Sequence, residues 1–352
     1  MFRPALDKLK PYVPGEQPQG GKFIKLNTNE NPYPPPQEVV DAIVAATRNG
    51  LQRYPDPVAM AFRRRAADVL KLPGPEWILC GNGSDEILTI LVRTIVGEGQ
   101  LLRLPSPSYI LYRTLAEIQG ATWQEVQFCS DWSLPESFSR SEPGLRLALL
   151  PNPNSPSGTV LAPSDVLKIA ERLPCPLVVD EAYADFAEEN CLALVQKSER
   201  IIVSRTLSKS YALAGLRFGF CVAQPHIIRE LGKVKDSYNC DALSIAGAGA
   251  AISSQSWLAD NRAKIIATRD RMTTALRGLG FMVTNSQANF VWCTRTDQPV
   301  EPLYAALKMN QILVRYMKYD GWGEGLRISV GTDEQSDACI SVLKRLLEKV
   351  AS

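Results

Sequence analysis

Apolar residues follow two rhythms along this chain. Short continuous runs at 77–80, 100–104, 145–150, 177–179 and 201–204 have the length and composition of strands buried on both faces. Between them apolar residues recur at helical spacing. Val39, Val40, Ile43 and Val44 predict a helix over 37–49, and Ile87, Leu88, Ile90 and Leu91 predict one running through Ile95. The second follows the turn Gly81-Asn82-Gly83, with Ser84 and Asp85 expected as its caps. Another is expected over 164–172, after Pro163. Strands alternating with helices predict an α/β fold with a mainly parallel, doubly wound sheet.

The rhythm changes after Asp241. A long helical region over 242–279, strands at 281–284 and 289–293, a helix over 300–310, strands at 312–315 and 326–330, and a last helix through Lys349 predict a smaller α+β domain. Residues 1–30, rich in Pro, Gly and Asn, read as an arm. The expected organisation is an arm over 1–30, a large domain over 31–241 and a small one over 242–352. Neither an internal repeat nor a low-complexity segment is visible.

Composition narrows the chemistry. The chain has 352 residues, 45% of them hydrophobic, enough for a sizeable core. With 39 basic against 37 acidic residues it lacks the excess of a nucleic-acid binder, and the run Arg63-Arg64-Arg65 reads as a solvated helix face. No apolar run approaches the ~20 residues of a membrane span, and the N-terminus has no signal-like apolar core. Eight cysteines form no CxxC pair, so no metal site is expected and a reducing cytoplasm is the simplest home. The single histidine, His226, sits beside Pro225 and far from any motif, which argues against Ser-His-Asp, Cys-His and multi-histidine metal chemistry. The work falls to lysine, tyrosine, carboxylates or a cofactor.

Three segments carry that chemistry. The loop Ser204-Arg205-Thr206-Leu207-Ser208-Lys209-Ser210, with Gly215-Leu216-Arg217, follows a strand and mixes hydroxyls with two kinds of cation. A phosphorylated aldehyde cofactor needs an amine nucleophile, which Lys209 offers. Its phosphate needs hydroxyls and a guanidinium, which Thr206, Ser208 and Arg217 offer. Taken alone, such a lysine is as a rule only a surface residue. The strand 177–179 runs into Asp180, which suits either a pyridinium nitrogen or a helix cap, and Tyr183 follows within reach of a ring hydroxyl. Finally, Gly81-Asn82-Gly83-Ser84-Asp85 admits an anion to a helix start, although it is neither a P-loop nor a GxGxxG turn.

Together these segments resemble one family. Thr-Leu-Ser-Lys with Ala-Gly-Leu-Arg, Asp-Glu-Ala-Tyr and Pro-Asn-Ser-Pro-Ser-Gly are similar to the motifs of the fold-type I, pyridoxal-phosphate-dependent aminotransferases, and most of all to the histidinol-phosphate aminotransferases. The likeness runs from Lys10-Pro-Tyr-Val-Pro-Gly and Leu26-Asn-Thr-Asn-Glu-Asn-Pro through Arg53-Tyr-Pro to Leu326-Arg-Ile-Ser-Val-Gly. It implies that Lys209 carries pyridoxal 5'-phosphate covalently and then serves as the base that moves a substrate proton. Asp180 would hold the ring nitrogen, Tyr183 the ring oxygen, and Tyr109 would stack on the ring. Ser84, Asp85, Thr206, Ser208 and Arg217 would hold the phosphate, with Tyr54 reaching into a neighbouring subunit, so a homodimer with shared sites is implied. Arg327 would clamp a substrate carboxylate, and Tyr12, Arg315 and Tyr238 would face a phosphorylated substrate.

The implied reaction moves an amino group between glutamate and imidazole-acetol phosphate. A threonine-phosphate decarboxylase or an aromatic amino-acid aminotransferase would use the same groups, so both stay open. One position departs from the family. Where relatives place Asn directly before the second proline of the Pro-Asn-Ser-Pro loop, this chain has Ser155. Asn154 is expected to reach the ring oxygen instead, the alternative being that Ser155 and Tyr183 share that task.

Overall fold

The computed structural model describes residues 22–351, together with residues 2, 9, 15–17 and 20. The elements, in chain order, are β1 (Ile24–Lys25), α1 (Gln37–Arg48), α2 (Met60–Val69), β2 (Ile78–Gly81), α3 (Ser84–Ile95), β3 (Leu101–Ser106), α4 (Leu111–Gln119), β4 (Thr122–Gln127), β5 (Leu145–Pro151), α5 (Pro163–Arg172), β6 (Leu177–Asp180), β7 (Ile201–Thr206), β8 (Gly219–Val222) and α6 (Pro225–Leu231). They continue with α7 (Ala242–Ser253), α8 (Gln255–Gly278), β9 (Met282–Val283), β10 (Phe290–Thr294), α9 (Glu301–Met309), β11 (Ile312–Leu313), β12 (Arg315–Tyr319), β13 (Gly323–Ser329) and α10 (Asp333–Ala351).

Among the described residues, seven strands form one sheet in the order β2-β8-β7-β6-β5-β3-β4. Only β8 runs against its neighbours, so the sheet is mainly parallel, as the alternating pattern predicts. Its central strands are apolar on both sides because both faces are covered. Ala148, Leu150, Leu177, Val179, Ile201 and Val203 enter one core cluster, whereas Leu147, Leu149, Val178 and Ile202 enter another. That is strict period-two alternation between two buried layers.

A third core gathers Val291, Cys293, Leu326, Ile328 and Leu343 under the antiparallel sheet β12-β13-β10-β9. It also takes in Leu26 and Phe186, and β1 pairs with β11. Conversely, Ala248, Ala251 and Ile252 of α7 pack into the first core. The cores therefore do not follow a single cut at residue 241.

Three sequence-based expectations are corrected. Ser84 and Asp85 do not cap α3; Gly83 occupies that position without a side-chain cap, and both lie in the first turn. The helical region over 242–279 breaks at Ser254 (φ −86°, ψ 58°), where the hydroxyls of Ser253 and Ser254 donate back to Gly249 and Ala250 carbonyls and bend the chain. The strand expected at 312–315 divides between two sheets at Val314. Three strands escaped the pattern: β1, of two residues in the expected arm, the largely polar β4, and β8.

Candidate active site

Ligands of open α/β sheets bind beyond the carboxyl ends of the strands. There the structure has a cavity of about 490 Å³ whose wall includes eleven expected residues: Ser84, Asp85, Tyr109, Asp180, Tyr183, Thr206, Ser208, Lys209, Arg217, Arg315 and Arg327. Asp180 ends β6 and is in register with Pro151 of β5 and Ser204 of β7. Thr206 ends β7 opposite Gly219 of β8, so the antiparallel return of β8 closes one loop carrying both Lys209 and Arg217.

Lys209 Nζ donates to the Thr28 carbonyl at 3.0 Å. Asn31 Nδ2 holds the carbonyls of Lys209 and Ser210, each at 3.1 Å, fixing the backbone from which the amine projects. Burial lowers the Lys209 pKa to about 8; the charges of Arg327 and Arg217 push the same way, and Glu30 and Asp85 resist. An amine so placed is neutral in part near physiological pH and hence nucleophilic.

Asp180 is nearly inaccessible. Tyr112 donates to its Oδ2 at 2.8 Å, while Oδ1 has no partner among the described residues. Burial pushes its pKa up to about 6, Tyr112 pulling down and Asp85 adding to the rise. A buried carboxylate oxygen without a donor is costly, and a protonated ring nitrogen would meet that need. Tyr183 accepts from Asn29 Nδ2 at 3.0 Å. Tyr109 stands edge-on to Tyr112, with centroids 5.6 Å apart, and donates to Asp85 Oδ1 at 3.2 Å.

Where the phosphate is expected, the backbone packs closely. A side chain on Gly219 would come within 2.5 Å of the Ser84 nitrogen, and one on Gly83 within 2.5 Å of Arg217 Nη2. Only glycines let α3 start here with its unpaired first-turn N–H groups exposed. Arg217, in the left-handed region at φ 53°, donates from Nη1 to Ser208 Oγ at 3.2 Å and pairs through Nη2 with Asp85 Oδ2 at 3.3 Å. Thr206 Oγ1 donates to Ser208 Oγ at 3.0 Å. The Asp85 carboxylate is therefore engaged by Arg217 and Tyr109.

At the other end, Arg327 Nη1 donates to Ser155 Oγ at 2.9 Å and Nη2 to the Asn27 carbonyl at 3.2 Å, while its buried Nε has no partner among the described residues. Asn154 stands behind the wall rather than in it: its Nδ2 donates to Ser157 Oγ at 2.9 Å and the Pro107 carbonyl at 3.3 Å, while its buried Oδ1 has no partner among the described residues. Ser155 lines the wall instead. Cations (Arg113, Lys209, Arg217, Arg315, Lys318 and Arg327) outnumber carboxylates (Asp85, Glu125 and Asp180) around the cavity, which suits ligands carrying phosphate.

Tyr54 and Tyr238 are not brought to this cavity. They stack on each other at 4.4 Å, 81% and 46% exposed. Tyr12 lies outside the described residues. His226 is exposed on α6. Among the described residues no cluster of His, Cys, Asp and Glu could hold a metal ion, and no helix is long and apolar enough to cross a membrane. Sequence reasoning missed Asn29, Asn31 and Tyr112. The first two stand in the Leu26-Asn-Thr-Asn-Glu-Asn-Pro segment, whose density of asparagines before a proline was the available signal.

A family model described as aminotransferase class I and II matches residues 21–343. The chain is 64% identical over 349 residues to a histidinol-phosphate aminotransferase of Rhodopirellula baltica, covering 99% of this chain and 96% of that one. It is 45% identical to histidinol-phosphate aminotransferase 1 of Nostoc sp., covering 99% and 98%. Among solved structures, histidinol-phosphate aminotransferase from Sinorhizobium meliloti in complex with pyridoxal-5'-phosphate superposes with a TM-score of 0.87 at 24% identity, over 99% of this chain and 98% of that one, a likeness of fold.

Proposed function

This chain belongs to the class I and II aminotransferases, and from that premise we propose that it transfers an amino group between glutamate and imidazole-acetol phosphate, giving 2-oxoglutarate and histidinol phosphate, with pyridoxal 5'-phosphate on Lys209. The observation that carries the substrate assignment is the 64% identity to the Rhodopirellula baltica enzyme across nearly the whole of both chains. The cavity's cationic wall agrees with a phosphorylated substrate.

The residues present fit the cofactor. Asp180 Oδ1 suits the ring nitrogen, Tyr183 the ring oxygen, and Tyr109 a ring face. Thr206, Ser208, Arg217 and the first-turn amides of α3, at Ser84 and Asp85, suit the phosphate. When bound, the cofactor supplies an aldehyde for the incoming amine and a ring able to take up electrons. Once the substrate amine has displaced it, Lys209 Nζ, whose pKa as a free amine lies near 8, would be the base that takes the proton from the substrate carbon and holds it for return. Asp180, ionised above its pKa of about 6, would hold a protonated ring nitrogen through its free Oδ1. Arg327 and Arg315 divide carboxylate and phosphate recognition between the two substrates, with Tyr238 reaching the substrate end of a second copy's site.

The same proposal includes a cytoplasmic homodimer. The exposed Tyr54–Tyr238 stack is an aromatic surface suited to a second copy, with Tyr54 reaching that copy's cofactor phosphate. All eight cysteines are free thiols, which suits a reducing compartment. Mixing the cofactor-loaded protein with histidinol phosphate should bleach its visible absorption, and adding 2-oxoglutarate should restore it. No bleaching, with carbon dioxide released from threonine phosphate, would move the chain to decarboxylation. A response only to aromatic amino acids would move the substrate.

A further inference from the structure

Tyr183 is useful to a ring oxygen only if its hydroxyl proton points there, and the residues behind it bear on that direction. Asn29 Nδ2 donates to the Tyr183 hydroxyl at 3.0 Å. A tyrosine oxygen that accepts from one side is left with its own proton for another partner, and among the described residues no acceptor is found for it. The Tyr183 ring is held edge-on against Phe290, with centroids 5.1 Å apart, and lines the cavity beside Lys209.

The orientation of the Asn29 amide decides the matter, because reversing it would present an acceptor and draw the proton away. Ser329 favours the orientation that presents Nδ2. Its hydroxyl accepts from the Asn29 backbone N–H at 2.8 Å and donates to Asn29 Oδ1 at 2.9 Å, in a site where Asn29 and Ser329 are almost wholly buried. With Oδ1 engaged by that donor, Nδ2 is the end presented to Tyr183. The backbone is held as well. Asn29 adopts φ 54°, a left-handed conformation that asparagine tolerates, and its carbonyl accepts from Asn289 Nδ2 at 3.0 Å.

We infer that Asn29, locked by Ser329, is a positioning residue that turns the Tyr183 proton into the cavity, toward the ring oxygen of the cofactor. The inference rests on the cofactor reading given above. Burial raises the Tyr183 pKa, so the hydroxyl keeps its proton to donate, while Arg327 and the Asn29 amide restrain the rise. A donor at the ring oxygen draws off negative charge that would otherwise hold a proton on the nitrogen joined to Lys209. Losing the donor therefore moves the pH at which the visible absorption changes upward.

The test is a pH titration of that absorption in wild type, Asn29→Asp, Ser329→Ala, Ser329→Thr and Tyr183→Phe, each loaded with pyridoxal 5'-phosphate. Asn29→Asp offers an acceptor and should raise the midpoint by about one pH unit or more, matching Tyr183→Phe, with no further shift when the two are combined. Ser329→Ala should shift it part of the way and Ser329→Thr should leave it at the wild-type value. If Asn29→Asp does not fold, Ser329→Ala and Ser329→Thr decide the question. A normal wild-type band with unchanged midpoints in Asn29→Asp and Ser329→Ala overturns the inference alone. A wild-type chain that develops no band overturns the cofactor reading and this inference with it.

Discussion

Arg315 and Arg327 are direct register partners across the antiparallel strands β12 and β13, and both line the cavity. Two guanidinium groups placed opposite each other weaken a sheet by a fraction of a kcal/mol, so the pairing is intelligible as a receptor for anions. Replacing Arg327 with Gln should lower kcat/KM for both amino donor and acceptor by roughly 30- to 1000-fold, about 2–4 kcal/mol of lost charge-assisted bonding. Arg315→Gln should weaken the phosphorylated substrate more than glutamate. Steady-state kinetics with each substrate check both.

The second prediction concerns Asp180 without cofactor. Its pKa is raised from the ordinary 3.8 to about 6, chiefly by burial. The folded state thus binds the proton more tightly than the unfolded one, and stability falls as pH rises from about 4 through 6. Above pH 7 the ionised carboxylate costs about 3 kcal/mol. Asp180→Asn should therefore melt higher than wild type at pH 8 in the cofactor-free protein, the gap closing toward pH 4. Cofactor should stabilise wild type far more than the variant. A wild-type advantage at pH 8 without cofactor would count against this account.

Arg205 supports the lysine loop from behind. It is buried and bonds Glu181 at 2.7 Å and Asp185 at 2.8 Å, while Asp185 also accepts from Ser210, the neighbour of Lys209. Arg205→Leu leaves the fully buried Glu181 carboxylate unpaired and should cost about 3–5 kcal/mol in denaturant unfolding. Glu181→Gln, which keeps an acceptor for Arg205, should cost less.

Gly219→Ala tests the expected phosphate site. The added methyl would sit 2.5 Å from the Ser84 nitrogen and 2.6 Å from the Gly83 carbonyl carbon, displacing the start of α3. Affinity for pyridoxal 5'-phosphate should fall more than tenfold, over 1.4 kcal/mol, as read by absorbance titration.

Legibility differed by the kind of evidence each residue leaves in sequence. The central strands were plain because burial on both faces gives unbroken apolar runs, as in Leu177–Asp180. Strand β4 was invisible because it is an edge strand whose Trp123, Gln124 and Glu125 meet solvent or the cavity. Lys209, Asp180 and Arg217 stood out through motif context rather than local pattern, since each alone reads as an ordinary loop or strand-end residue. Whether Asn154 or Ser155 fronts the cavity was not legible, because one residue along a tight loop reverses which side chain is presented. The order of residues there does not report that choice. Asn29 and Tyr112 were missed for another reason: they act through Tyr183 and Asp180, across 154 and 68 positions of chain.

The loop that β8 closes has a consequence for how such a molecule can change. Lys209 and Arg217 ride on a single stretch pinned by the Thr206–Gly219 pair, so the two groups proposed to grip the cofactor are held together independently of the antiparallel sheet. The opposed arginines belong to that other sheet. Inheritance can therefore rewrite strands β12 and β13 for a new substrate while the machinery for amino transfer passes on intact.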